Sequence, residues 1–274
     1  MASPPIALTI AGSDSSGGAG IQADIKTFSA LGVYSASVIT NITAQNTCGV
    51  HTVHTLPLNI IEAQLRAVFD DLNISCVKIG MLNTISAIEL VSKILQEYRP
   101  KHIVLDPVMI SSSGKPLIEA NAIEALKTDL FPISTLITPN IPEAAVLLNC
   151  PSAETKPLMY ETITKLNKFG SQSVLLKGGH LIGDMCIDLL SENDTIYEFS
   201  QSKIVTKNTH GTGCTLSSAI SANLALGSSI QDAVFKANAY LNKAIKQADS
   251  LNIGKGSGPV HHFYNLWKND VAIR

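Results

Sequence analysis

Residues 6–32 read IALTIAGSDSSGGAGIQADIKTFSALG. The opening Ile6–Ala11 is a short apolar run, GSDSSGGAG is a loop of small and turn-forming residues, and Ile21 to about Leu31 has helical apolar spacing that stops at Gly32. Strand, glycine-rich loop and helix in that order are the unit of an α/β protein. The same alternation continues along the chain. Strands are expected at Ser37–Thr43, Cys76–Ile79, His102–Leu105, Leu136–Thr138 and Ser173–Leu176, mostly continuous apolar runs of the kind a parallel sheet covered on both faces requires. A hairpin is expected from Cys186–Leu190 and Thr195–Phe199 around ENDT.

Between the strands, Ile61, Leu65, Val68, Phe69 and Leu72, and then Ile88, Val91, Ile94 and Leu95, recur at helical spacing. Pro142 stands where a first-turn proline opens a helix, and Ser229 caps a stripe running from Ile230 to Ala248. No linker, repeat or low-complexity segment interrupts the series. The expected fold is therefore one α/β domain over residues 1–274, a doubly wound, mainly parallel sheet flanked by helices on both faces. Ligands of such sheets sit outside the carboxyl ends of the strands, which directs attention to the loops there.

Composition narrows the function. Of 274 residues 45% are hydrophobic and 15% charged, with a formal net charge of −2, so the chain offers a large core and no basic surface for nucleic acid. The N-terminal MASPPIALTIAG lacks the charged flank and long apolar segment of a signal peptide, and no apolar run is long enough to span a bilayer, so a cytoplasmic location is expected. Cysteines 48, 76, 150, 186 and 214 form no CxxC pair, which gives neither a disulfide framework nor a zinc site. Small-molecule chemistry is the remaining class.

Gly18-Ala19-Gly20-Ile21-Gln22-Ala23 matches the dinucleotide fingerprint, but it begins well after the strand and no acid occurs between Asp24 and Glu62 to hold a ribose. A Walker A loop is absent, since neither Ser113-Gly114-Lys115 nor Gly254-Lys255-Gly256 has the required surroundings. More telling is TKNTHGTGCTLSSAISANLALG at 206–227, a glycine loop entering a helix, whose first N–H groups favour an anion. Lys177 follows SVLL at a strand end and precedes Gly178-Gly179, which places a cation beside open backbone. Asp106 follows HIVL, and Glu143 follows TLIT through Pro139-Asn140-Ile141-Pro142; each is either an ordinary cap or surface acid or part of a Mg²⁺ site reached through water. Asp24 is either a dipole-complementing acid or a ligand contact. His261-His262 has no partner at metal-ligand spacing and reads as structural or peripheral to a nucleotide pocket.

Taken together, AGSDSSGGAGIQADIKTFSALG, VITNITAQNTCGV, KIGML, VLDPVM, ITPNIPEA, LLKGGH, NTHGTGC and GKGSGPVHHF resemble the hydroxymethylpyrimidine/phosphomethylpyrimidine kinases of thiamin biosynthesis, within the ribokinase-like superfamily. The resemblance runs from about Ile6 to Tyr264. It implies ATP-dependent phosphorylation of 4-amino-5-hydroxymethyl-2-methylpyrimidine and then of the product, giving the diphosphate. It implies a pyrimidine pocket from Gly12, Asp24, Gln45, Met81 and Val108, where the Gln45 amide matches an aminopyrimidine edge. Asp106 and Glu143 would arrange Mg²⁺, Lys177 would contact ATP phosphates, and Gly211, Thr212, Gly213 and Cys214 would surround the transferred group. Asn208 and Gly254–Val260 would flank the nucleotide, and a homodimer is implied.

Many ribokinase-like enzymes carry Asp where this chain has Cys214, a departure shared by the pyrimidine-kinase branch and by some pyridoxal kinases. A vitamin B6 kinase and a non-catalytic pyrimidine-binding regulator are the alternatives. The position at a helix start predicts a lowered thiol pKa and a usable proton acceptor, against a cysteine that is merely small enough for the loop.

Overall fold

The structure is a computed structural model, and it describes residues 3–109 and 117–267. The Ser113-Gly114-Lys115 segment lies outside the described residues.

One nine-stranded sheet organises the chain. In chain order its strands are β1 (Ile6–Asp14), β2 (Tyr34–Asn46), β3 (Gly49–Thr55), β4 (Ile74–Ile79), β5 (Ile103–Leu105), β6 (Leu136–Ile137), β7 (Ser173–Leu176), β8 (Met185–Glu192) and β9 (Thr195–Ser202). Their spatial order is β3-β2-β1-β4-β5-β6-β7-β8-β9. The six from β2 to β7 in that order run parallel, while β3 at one edge and the β8–β9 hairpin at the other add antiparallel pairings. The mainly parallel, doubly wound sheet matches the expectation.

Alternation of side chains across the pleat feeds two cores. Val77, Leu105, Ile137 and Val174 face one way, together with α2 (Leu58–Asp71), α3 (Ile85–Tyr98), α5 (Ile141–Leu148) and α6 (Lys156–Leu166). Their neighbours Cys76, Val104, Leu136 and Leu175 face the other, against α7 (Thr212–Ala225) and α8 (Ile230–Lys246). The helix α1 (Gly20–Ala30) packs beside α7 through Phe28 and Ala222, and a short α4 (Ala122–Ala125) adds Ala122 to the first core. Burial on both faces explains why these strands are mostly apolar.

Local chemistry sets the helix starts near the site. The Asn140 side chain accepts from the Glu143 N–H at 2.8 Å and the Glu143 carboxylate accepts from the Asn140 N–H at 2.8 Å, a complete capping box with Pro142 in the first turn of α5. Ser229 caps α8 by accepting from the Asp232 N–H at 3.2 Å, as the sequence suggests. The start of α7 differs: its N-cap is Gly211, with φ of 77° and no side-chain cap.

No strand is expected at β3, which is GVHTVHT, with no residue buried; backbone pairing with β2 creates it. No described helix is long and apolar enough to cross a membrane.

Candidate active site

The chain reverses its winding at β1, which has β2 on one edge and β4 on the other. Beside the carboxyl ends of these strands opens a cavity of about 520 Å³, where an open α/β sheet binds its ligands. Strand ends and the loops after them supply Gly12, Gln45, Met81, Asp106, Val108 and Lys177 to its wall, the start of α5 supplies Glu143, and the glycine loop supplies Gly211, Thr212, Gly213 and Cys214. Segments spread over 200 residues of sequence thus meet, as the strand-end rule requires.

The loop after β1 is shaped by Asp14. Its carboxylate accepts from the Ser16 N–H and hydroxyl at 2.8 Å each, from the Gly18 and Ala19 N–H groups at 3.1 and 2.8 Å, and from His210 Nε2 at 2.8 Å. Burial alone would raise this acid, but the His210 and Ser16 bonds outweigh it and hold it down at about 2. Close approach makes the glycines necessary. A Cβ on Gly211 would stand 1.9 Å from the Gly18 carbonyl oxygen, and one on Gly18 would stand 2.4 Å from the His210 ring. The first loop and the glycine loop are therefore in backbone contact.

At the other end of the cavity, Lys177 Nζ lies 2.7 Å from Asp106 Oδ1, which also accepts from Thr138 at 3.1 Å; Ser217 donates to Oδ2 at 3.3 Å. An added Cβ on Gly213 would be 3.5 Å from both Asp106 Oδ2 and Lys177 Nζ, which places the cation against the amides opening α7. Burial raises the Asp106 acid, yet Lys177 and Lys78 together bring it below the ordinary carboxylate range. Burial pushes the Glu143 acid up to about 7, with the Asp106 charge adding to the rise against the pull of Lys177.

Three of the expected site residues stand in surroundings that their sequence does not show. Asp24 does not line the cavity: it is fully buried, takes hydrogen bonds of 2.6 Å from Thr9 and from Ser218, and pairs with Lys78 Nζ at 3.0 Å. A carboxylate four residues into α1 faces the sheet, so it braces β1, β4 and α7 from beneath the site. Asn208 also lies off the described cavity wall. Its amide donates to Asp249 at 2.7 Å and its oxygen accepts from the Gly258 N–H at 3.0 Å, which ties the C-terminal segment to the glycine loop.

The third is Cys214, half-buried at the wall. Burial pushes its thiol up to about 11 despite the opposing pull of Lys78, so desolvation overrides the helix start and the group is a neutral thiol. Alkylation of Cys214 by iodoacetamide is accordingly expected to be slow at neutral pH and to rise about tenfold per pH unit up to about pH 10, read by peptide mass spectrometry. A plateau near pH 8 would mean a stabilised thiolate.

Sequence reasoning overlooked Lys78, Asp14 and His210. The signal for Lys78 is a lysine inside an otherwise apolar parallel strand; it is fully buried and forms part of the cavity wall. Its ammonium is held above the ordinary lysine range because, although burial opposes charge, Asp24, Cys214 and Asp106 outweigh it. Gly80 makes the room, since a Cβ there would be 2.8 Å from Lys78 Nζ.

The model of the phosphomethylpyrimidine kinase family matches residues 14–261. The chain is similar to the hydroxymethylpyrimidine/phosphomethylpyrimidine kinase of Salmonella typhimurium, 49% identical over 261 residues that cover 95% of this chain and 98% of that one. Among solved structures it is similar to phosphomethylpyrimidine kinase from Clostridium difficile, with 45% identity, a TM-score of 0.78, and coverage of 88% and 99% of the two chains. It is also similar to pyridoxal kinase from Bacillus subtilis in its ADP complex, with 37% identity, a TM-score of 0.88, and coverage of 95% and 98%. With its ribokinase-like fold and cation-lined glycine loop, the chain belongs to the phosphomethylpyrimidine kinase family.

Proposed function

We propose that the cavity binds an aminopyrimidine and ATP side by side and catalyses two successive phosphoryl transfers, first to the hydroxymethyl group and then to the resulting phosphate. The observation that carries this reading is the convergence of Lys177 and the Gly211–Cys214 loop on one cavity with Gln45 and Met81. Gln45 offers a donor and an acceptor to a pyrimidine edge. Met81 packs an apolar wall, with Gly12 leaving room for it: a Cβ on Gly12 would be 2.7 Å from Met81 Cε.

In the first transfer the alcohol oxygen bonds to the γ-phosphorus, the bond to the β-phosphate oxygen breaks, and ADP leaves while the hydroxyl proton is released. The transition state is loose, so positioning and charge neutralisation dominate. Lys177 faces the transferring oxygens, and the N–H groups opening α7 receive their charge. Cys214, a thiol at neutral pH, occupies the position beside the nucleophile without adding negative charge. In the second transfer the nucleophile is already an anion and needs no base.

The donor set suits Mg²⁺. Asp106 and Glu143 line the same cavity, and burial, with the Asp106 charge adding to it, pushes the Glu143 acid up to about 7, a rise that a bound cation would oppose. No cluster of three or more metal-holding side chains occurs among the described residues, but this ion is ordinarily held by one or two carboxylates, waters and phosphates. Asp106 and Glu143 would hold it through water, and bound there it would neutralise charge on the polyphosphate.

Cys214→Asp is expected to impair the second transfer at least about tenfold more than the first, because a fixed carboxylate beside Asp106 repels a phosphomonoester. Separate assays starting from the alcohol and from the monophosphate check this; equal losses would remove the electrostatic role of the neutral thiol.

The defining experiment incubates the protein with MgATP and the aminopyrimidine and identifies products by mass spectrometry. Monophosphate followed by diphosphate is expected. A vitamin B6 substrate is the second reading, favoured by the higher TM-score to pyridoxal kinase, and pyridoxal phosphorylation without any pyrimidine diphosphate would establish it. The proposal extends to a homodimer in the cytoplasm, tested by sedimentation and cell fractionation.

A further inference from the structure

Gln45 sits between two hydrogen-bonding neighbours whose proton counts do not balance when its nitrogen faces His210. In that arrangement Gln45 Nε2 is 3.3 Å from His210 Nε2 and Gln45 Oε1 is 3.1 Å from Thr43 Oγ1. His210 Nε2 also stands 2.8 Å from Asp14 Oδ2, an oxygen that already accepts from two backbone N–H groups. Facing an acceptor, the His210 nitrogen carries its proton and donates it. Two donors would then confront each other. At the other end, Thr43 has one hydroxyl proton, and the Ser13 carbonyl takes it at 2.9 Å. Nothing remains for Gln45 Oε1.

Turning the terminal amide over removes the donor–donor contact, and Oε1 then shares, at the longer 3.3 Å, the N–H that His210 directs at Asp14. Nε2 then donates to the Thr43 oxygen, whose own proton still goes to Ser13. The Gln45 backbone does not move, because its N–H and carbonyl are fixed to the Ser15 hydroxyl at 2.9 and 2.7 Å. Each end of the amide retains one lone pair or one N–H for a ligand.

We propose that His210 is a positioning residue that fixes the polarity of the Gln45 amide, oxygen toward His210 and nitrogen toward Thr43, and thereby decides which way round the aminopyrimidine lies. This rests on the pyrimidine-kinase reading above. Along the substrate edge the order is ring nitrogen, amino group, hydroxymethyl group. With the Gln45 oxygen on the His210 side, the amino group lies on that side and the ring nitrogen meets Nε2. The hydroxymethyl group, one position further along, is carried toward Gly211, the residue that follows His210 and begins the anion loop. The opposite polarity would turn the ring over and send the reacting hydroxyl away from that loop. The Asp14–His210 bond thus acts on orientation through Gln45, without touching the reacting atoms.

The test uses the 4-amino substrate and its 4-oxo analogue, in which donor and acceptor exchange places along the same edge. Wild type is expected to favour the amino compound strongly in kcat/KM, as a site built around specific hydrogen bonds does. His210→Leu frees the amide and is expected to shrink that ratio at least about tenfold, chiefly through improved use of the oxo compound. His210→Gln is expected to preserve the ratio, because an amide facing the Asp14 carboxylate must present its NH₂. Equal losses on both substrates in His210→Leu, with the ratio collapsing in Gln45→Met, would show that Gln45 reads the ring while His210 is only structural. An unchanged ratio in Gln45→Met overturns Gln45 as the reader, and no turnover of the amino compound by wild type overturns the functional reading itself. If His210→Leu does not fold, NMR on wild type decides. NOEs from the Gln45 NH₂ protons to the Thr43 methyl group are expected, and NOEs to the His210 ring instead would overturn the proposal.

Discussion

Lys78→Met is expected to cost about 3–5 kcal/mol of stability and to lower the melting temperature by roughly 10 °C, the largest loss of any single substitution proposed for this chain. Both partners of the Lys78–Asp24 pair are completely buried at 3.0 Å, so removing the ammonium strands a carboxylate among Thr9, Ser218 and the sheet. Breaking such a pair from one side costs far more than the pair itself contributes. The double variant Asp24→Asn/Lys78→Met removes the stranded charge and is expected to recover much of the loss. Thermal unfolding of the three proteins checks this; a single variant within about 2 °C of wild type would show that the pair is not the brace described.

Lys177→Gln is expected to reduce kcat of both transfers by about 10²–10³, the scale of losing one preorganised group aimed at developing charge. Glutamine keeps a donor toward Asp106, which Lys177 approaches at 2.7 Å, so the fold should suffer less than in an alanine variant. The distinguishing readout is kcat with a small change in melting temperature. A loss below about tenfold would place the cation outside the transfer step.

The parallel strands are legible in sequence because burial on both faces leaves runs such as SVLL without polar interruption. β3 is not, since its residues, none of them buried, owe their strand geometry to β2 rather than to their own pattern. The same division holds at the site. Lys177 and the Gly211–Cys214 loop announce themselves through residues that have little other use at strand ends. Asp14 and His210 do not, because the bond that gives them meaning joins positions 196 residues apart. The surroundings of Asp24 and Cys214 are not legible either: one depends on which side of α1 faces the sheet, the other on how far packing desolvates a half-buried thiol. Both are properties of packing, to which local sequence is blind.

The contact between the Gly18 carbonyl and Gly211, with His210 filling the space over Gly18, has a consequence for how this chain can change over time. Two loops separated by most of the sequence share one van der Waals boundary, so neither accepts a side chain unless the other yields. Substitutions at 16–20 and at 208–214 should therefore be strongly non-additive. A loop transplanted alone from a distant kinase would fail, while the two exchanged together would be tolerated, and recombination between related genes would preserve them as a linked pair.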